Sequence, residues 1–207
     1  MKPATDASIL AAALIVSLVS LSPARAPADE LPKDTNQIER LTPEQAKKLA
    51  AEFPGVWVVI DPSTTYMRRS LPLNGLNSLD AETATALAAY PEGPLLLDGL
   101  TTLDAATAKT LAALDTWNGN LSSIVAIESP DSVEIAAALA KRKGPLSLPN
   151  LKKISPKTLT ALIEKEDVVI PLIERLELIQ EPDGSPTEDF MLPTGFQSRQ
   201  KARQQGR

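Results

Sequence analysis

The sequence predicts an α/β protein, a short solenoid of parallel strands and helices, and three observations carry that prediction. One motif, L-x-L-x-x-L-x-x-L with aliphatic substitutions, recurs five times, and its last position falls at residues 79, 103, 127, 154 and 176. The resulting spacings of 24, 24, 27 and 22 residues are those of stacked strand–turn–helix coils rather than of independent elements. A helix-starting residue follows the motif, and alanine-rich stretches with helical periodicity follow that residue.

The elements can be justified in chain order. Residues 1–28 read as a secretory signal peptide. Lys2 supplies a weak positive start, Ile9 to Leu21 is an apolar run of 13 residues, and Ala24-Arg25-Ala26 and Ala26-Pro27-Ala28 offer cleavage patterns. Cleavage after Ala28 is preferred, because the earlier site places Pro27 next to the scissile bond. The run is too short for a spanning helix, which needs ~20 apolar residues. Residues 29–37 are a linker, and the half-motif Ile38-x-x-Leu41 opens the solenoid, residues 38–180. Thr42-Pro43-Glu44-Gln45 combines an N-cap, a proline at the first helical position and a capping-box glutamine.

Residues 55–70 break the register. Val56 to Ile60 predicts an additional strand, and Asp61 to Ser70 predicts a loop carrying Tyr66, Met67, Arg68 and Arg69. The five motif copies begin at Leu71, Leu95, Gly119, Leu146 and Val168. In each, the first two aliphatics alternate and so share one strand face, and the chain then turns, at Asn74-Gly75 and Asp98-Gly99 in the clearest copies. Asp80, Asp104, Glu128 and Ser155 start the next helices. Their inner faces are Ala46/Leu49/Ala50/Phe53, Ala84/Leu87/Ala88, Ala108/Leu111/Ala112, Val133/Ala136/Ala137/Ala140 and Leu159/Leu162/Ile163. Residues 115–118, with Trp117, form a smaller excursion. Residues 181–207 lose the pattern and predict a disordered tail, turn-rich at first and Gln/Arg/Lys-rich at the end.

These copies resemble the leucine-rich-repeat superfamily in its bacterial secreted or surface form, over about residues 38–179. The copy Leu146-Ser-Leu148-Pro-Asn-Leu151-Lys-Lys-Ile154 carries the resemblance best. The superfamily usually places Asn or Cys five residues after the first strand aliphatic. Here Leu76, Leu100, Ile124, Leu151 and Ile173 stand there, so no asparagine ladder is expected at that position. The resemblance implies the solenoid; it names no activity, since such folds host many functions.

Composition closes off much chemistry. The 207 residues include 21 Lys+Arg and 26 Asp+Glu, with neither Cys nor His. A chain without Cys has no disulfide scaffold, zinc finger, Fe–S ligation or thiol nucleophile. A chain without His has no Ser–His–Asp relay and no imidazole metal ligand. Its mild acidity argues against nonspecific nucleic-acid binding. Asp80 and Asp104 are accounted for as helix caps, and Asp183 to Asp189 lacks the alternating oxygen spacing of a calcium loop. No catalytic residue, cofactor or metal ligand is predicted.

Candidate partner-binding residues lie in two places. Pro72, Leu96, Asn120, Ser147 and Val169 should face outward between inward aliphatics, with Asn74, Asp98, Ser122, Pro149 and Pro171 farther along. Tyr66, Arg68 and Arg69 form a second candidate, because arginine forks match carboxylates and aromatics stack on rings. Lys141-Arg142-Lys143 is explained as helix-end cations complementing the dipole. The expected function is an exported, non-catalytic module binding a protein or an envelope polymer, without nucleic acid or a stable membrane span. A self-associating structural envelope component is the alternative, and a carboxylate-dependent hydrolase the lesser one.

Overall fold

The computed structural model describes residues 31–61, 66–185 and 192–205. The signal peptide and its cleavage patterns lie outside the described residues, as do residues 62–65, 186–191 and 206–207.

The first helix, α1 (Pro43–Glu52), begins where its cap dictates. Gln45 donates its backbone N–H to Thr42 Oγ1 at 3.2 Å, and Thr42 donates its own to Gln45 Oε1 at 3.0 Å. The predicted strand forms as β1 (Val56–Asp61). The stretch predicted as a loop does not remain one: it returns as β2 (Tyr66–Pro72), antiparallel to β1, with Trp57 opposite Arg69 and Val59 opposite Met67. Polar neighbours such as Arg68 and Arg69 hide a strand whose partner is supplied from elsewhere in the chain. β2 runs directly into the first motif copy.

The remaining elements are α2 (Ala81–Leu87), β3 (Leu95–Leu96), α3 (Ala105–Ala113), β4 (Ala126–Ile127), α4 (Ser132–Ala140), β5 (Leu146–Ser147) and β6 (Lys153–Ile154). They continue through α5 (Pro156–Ile163), β7 (Val168–Val169), β8 (Glu177–Leu178) and α6 (Thr194–Gln205). Pairing between successive copies is parallel: β2 with β3, β5 with β7, and β4–β6–β8 in one sheet. Leu71 lies beside Leu95, Leu146 beside Val168, and Ile127 beside Ile154, which lies beside Leu178. α1 packs on α2, α2 on α3, α3 on α4 and α4 on α5. The protein is therefore mixed α/β, with helices and small parallel sheets.

The motif aliphatics make the core. Leu71, Leu73, Leu76, Leu95, Leu97, Leu100, Leu121, Leu146 and Leu148 are all fully buried. The glycines of the two clearest turns sit against the preceding stretch of backbone. A Cβ on Gly75 would collide with the Asn36 carbonyl, and one on Gly99 with the Asn74 carbonyl. Close approach, rather than a left-handed φ, is what requires glycine there.

Helix starts carry a second device that the sequence pattern did not announce. Asp80 and Asp104 cap α2 and α3 by accepting from Thr83 N–H (2.7 Å) and Thr107 N–H (2.6 Å). The same two threonines are buried, and their hydroxyls donate to Leu41 O (3.5 Å) and Leu79 O (3.1 Å), 42 and 28 residues earlier. In α5, Thr158 donates likewise to Ser132 Oγ at 2.9 Å. The signal was legible in hindsight as Asp-x-x-Thr and Ser-x-x-Thr.

Three further expectations are corrected. Glu128 does not start α4, which begins at Ser132 without a side-chain cap; Asp131 Oδ2 instead accepts from Ala105 N–H at 3.1 Å, serving α3. The inner face of α4 accordingly shifts to Ile135, Ala136, Ala138 and Leu139, while Val133 is exposed. The linker 29–37 is structured at its end: Thr35–Gln37 forms a 3-10 turn whose Thr35 hydroxyl donates to Pro72 O. The tail predicted to be disordered contains α6, with Phe196 buried and Gln200 bridging Pro171 O (3.0 Å) and Ile173 N–H (3.2 Å). One apolar residue in a polar helix escapes a compositional test, because the docking is made by its neighbours.

Candidate interaction surface

The outward row is built by strand alternation, and the structure spends most of its polar groups internally. Pro72 is buried beneath the Thr35–Gln37 turn, so it presents no free surface. Leu96, Asn120 and Ser147 are half-buried, and Val169 is exposed. Farther along, Asn74 N–H donates to Asn36 Oδ1 (3.2 Å), and Asp98 N–H donates to Asn74 Oδ1 (3.3 Å). Asn150 Nδ2 donates to Ser122 O at 2.8 Å, and Asn120 Nδ2 to Ser122 Oγ at 3.4 Å. Each bond except the last joins residues more than 20 positions apart. A side-chain ladder does exist, two residues before the buried Leu76, Leu100 and Ile124 and one before Leu151.

Asp98 is the carboxylate in that row. Burial raises its pKa above the ordinary 3.8, while the Asn118 and Asn120 side chains pull it down. One of its carboxylate oxygens, Oδ1, is buried without a partner among the described residues. A raised carboxylate pKa stabilises the fold in acid, and that contribution is lost as pH rises through the folded value. Asn mimics the protonated form. Asp98→Asn should therefore raise the thermal midpoint at neutral pH, with the gain vanishing well below pH 3.8; scanning calorimetry across that range checks it, and a loss of stability at neutral pH would contradict it.

The hairpin brings different residues together from those expected. Alternation along β2 puts Arg68 and Arg69 on opposite faces, so the two arginines do not form one anion fork. Tyr66 pairs with Asp61 in the backbone register, and its side chain lies outside the described residues. Arg69 is committed: Nη1 donates to Pro54 O (3.1 Å) and Glu92 Oε2 (3.3 Å), and the guanidinium lies over the Trp57 ring at 5.7 Å. On that same face stand Trp57, Val59 and Met67, with 62%, 50% and 45% of their surfaces exposed. An apolar cluster of this kind on a strand pair is the surface feature that the sequence reading missed. Its signal was the alternation Trp57, Val59, which periodicity marks but cannot orient.

Arg142 is not a solvated helix-end cation. It is buried, stacks over Trp117 at 5.1 Å, and donates to Trp117 O and to Lys143 O and Pro145 O, both at 2.7 Å. Lys165, also buried, donates to Arg142 O and pairs with Asp167, both at 2.7 Å.

Among the described residues, no helix is long and apolar enough to cross a membrane, and no cluster of three or more acidic side chains could hold a metal ion. No protein-family model matches the chain, and no similar curated protein or solved structure is found.

Proposed function

We propose that the chain is an exported, non-catalytic interaction module, wound as a short leucine-rich-repeat-like solenoid, that docks a protein or an envelope polymer. Parallel pairing of successive motif copies, helix packing in chain order and the Asn and Thr side-chain bonds between copies support the winding. The Ile9 to Leu21 run and its following A-x-A patterns support export. The observation that carries the binding role is the exposed Trp57–Val59–Met67 face, since soluble proteins seldom leave clustered aromatic and aliphatic surface unused.

The test is affinity capture from envelope extract with the mature chain and with Trp57→Ser. A partner retained by the parent and lost by the variant supports the reading. Equal retention, or none by either, removes the hairpin from it. Self-association is the second reading, favoured by the edge strand β1, which carries no charge before Asp61. Light scattering after size exclusion separates the two: concentration-dependent assembly supports it, and a strict monomer excludes it.

A further inference from the structure

β1 is the outer strand of its sheet, whose order is β1–β2–β3. β3 pairs only with Leu71 and Pro72, at the far end of β2. Over Tyr66 to Ser70, β2 therefore has β1 as its only strand partner among the described residues. Both faces of this ribbon reach solvent. Trp57, Val59 and Met67 are exposed on one, Val56 and Arg68 on the other. A two-stranded ribbon is marginally stable by itself and gains from a further strand.

The outer edge is suited to a strand, and in particular to its own copy. Sheet edges are ordinarily protected by charge, proline or a bulge. β1 carries no charge before Asp61, and its register shifts only after Val59. Pro54 and Pro62 bound it in the sequence, and proline has no N–H to give a neighbouring strand. The donor-bearing run is therefore Gly55 to Asp61, and its middle residue is Val58. An antiparallel copy centred on Val58 matches this run with itself: Trp57 falls opposite Val59 of the other copy, Val56 opposite Ile60, and Gly55 opposite Asp61. An aromatic facing a β-branched residue is a stabilising cross-strand pair. The acidic position of the strand, Asp61, then falls beside the Arg69 guanidinium, which Pro54 O and Glu92 already hold at that end. The two-fold repeats this charge match at the other end.

We propose that the protein forms a weak two-fold dimer by antiparallel pairing of β1 with β1, a second copy of this chain being what the edge receives. The axis passes through Val58 perpendicular to the sheet and joins the two hairpins into one four-stranded sheet, β2–β1–β1–β2. Such an axis keeps faces matched. Trp57, Val59 and Met67 of both copies therefore lie on one side and double the apolar face. The proposal rests on the self-association reading and names its surface. Seven residues a side fall well short of the ~20–30 of a standard interface, so the dimer is concentration-dependent rather than obligate.

The chain has no cysteine, so a single introduced thiol reports on its own symmetry mate. Directly opposed residues of an antiparallel pair lie ~4.5–5.5 Å apart between Cα atoms, within reach of a disulfide, which does not bridge more than ~7 Å. Under mild oxidation of the exported protein, Val58→Cys should cross-link to a dimer. Val56→Cys, ~14 Å from its mate, should not, although Val56 is the more exposed of the two. Light scattering after size exclusion supplies the second measurement. Trp57→Glu with Val59→Glu should be monomeric, as should Trp57→Lys with Val59→Lys, and an equimolar mixture should restore dimers, because each glutamate then faces a lysine. Mixing would not rescue misfolded variants. A parent that stays monomeric at every concentration would overturn both this inference and the self-association reading. Cross-linking of Val56→Cys as readily as Val58→Cys, or a mixture that stays monomeric while the parent dimerises, would overturn the β1 pairing alone and leave self-association to another surface.

Discussion

Leu100→Asp should unfold the protein at room temperature, while Leu96→Asp should leave it folded and modestly weakened. The two residues are four apart in one motif copy, yet Leu100 is fully buried at the turn and Leu96 is half-buried on the outward side of β3. Truncating a buried leucine costs about 2–5 kcal/mol by itself. Burying an unpaired carboxylate adds several kcal/mol or forces the group neutral. Together these approach the ~5–15 kcal/mol that hold a domain of this size. Leu96 keeps access to water, so its aspartate can stay hydrated and loses mainly apolar burial, on the order of 1 kcal/mol. Urea denaturation followed by circular dichroism reads the contrast. Equal midpoints for the two variants would sink the inward and outward assignment on which the motif rests.

That assignment was legible in the sequence because it depends on period alone. Alternating Leu71 and Leu73, or Leu146 and Leu148, needs no knowledge of what lies above them, and Asp80, Asp104 and Ser155 cap helices through residues three positions on. What was illegible depends on partners outside the local pattern. Arg68 and Arg69 suggest a loop until β1 is set beside them, and Pro72 suggests an outward position until the Thr35–Gln37 turn closes over it. α6 has a single buried apolar side chain, Phe196, and is placed by Gln200 reaching backbone groups near residue 172. The candidate surface followed the same division. Alternation predicted which residues face outward, but only the folded chain shows that Asn74 and Asn120 are occupied by their neighbours, whereas Trp57, with Arg69 over its ring, keeps 62% of its surface exposed.

Arg142→Met should produce the second large loss, on the order of 2–4 kcal/mol, because the buried Trp117 carbonyl loses its donor at ~1–3 kcal/mol and two part-buried carbonyls lose a charged partner. A guanidinium taken out of water is expensive, and burial lowers the Arg142 pKa, with Asp167 and Asp115 opposing that shift. It survives because three carbonyls, those of Trp117, Lys143 and Pro145, accept from its two terminal nitrogens and the Trp117 ring covers its face, while Nε has no partner among the described residues. Methionine fills similar space but leaves the buried Trp117 carbonyl without a donor and the part-buried Lys143 and Pro145 carbonyls to water. Arg142→Lys keeps the charge and loses the planar fork, so it should recover only part of the stability, about half by the number of carbonyls one ammonium can reach. The loss should also be local before it is global. Trp117 and Pro145 flank the pairing of Asn120 with Ser147, whose N–H donates to Gly119 O at 2.8 Å. Amide exchange at Ser147 and Leu121 should therefore accelerate in Arg142→Met under conditions that leave Leu73 and Leu95 protected. If Arg142→Met unfolds at the parent's urea midpoint, or if Arg142→Lys restores it fully, the guanidinium is a dispensable surface cation and the clamp does not exist.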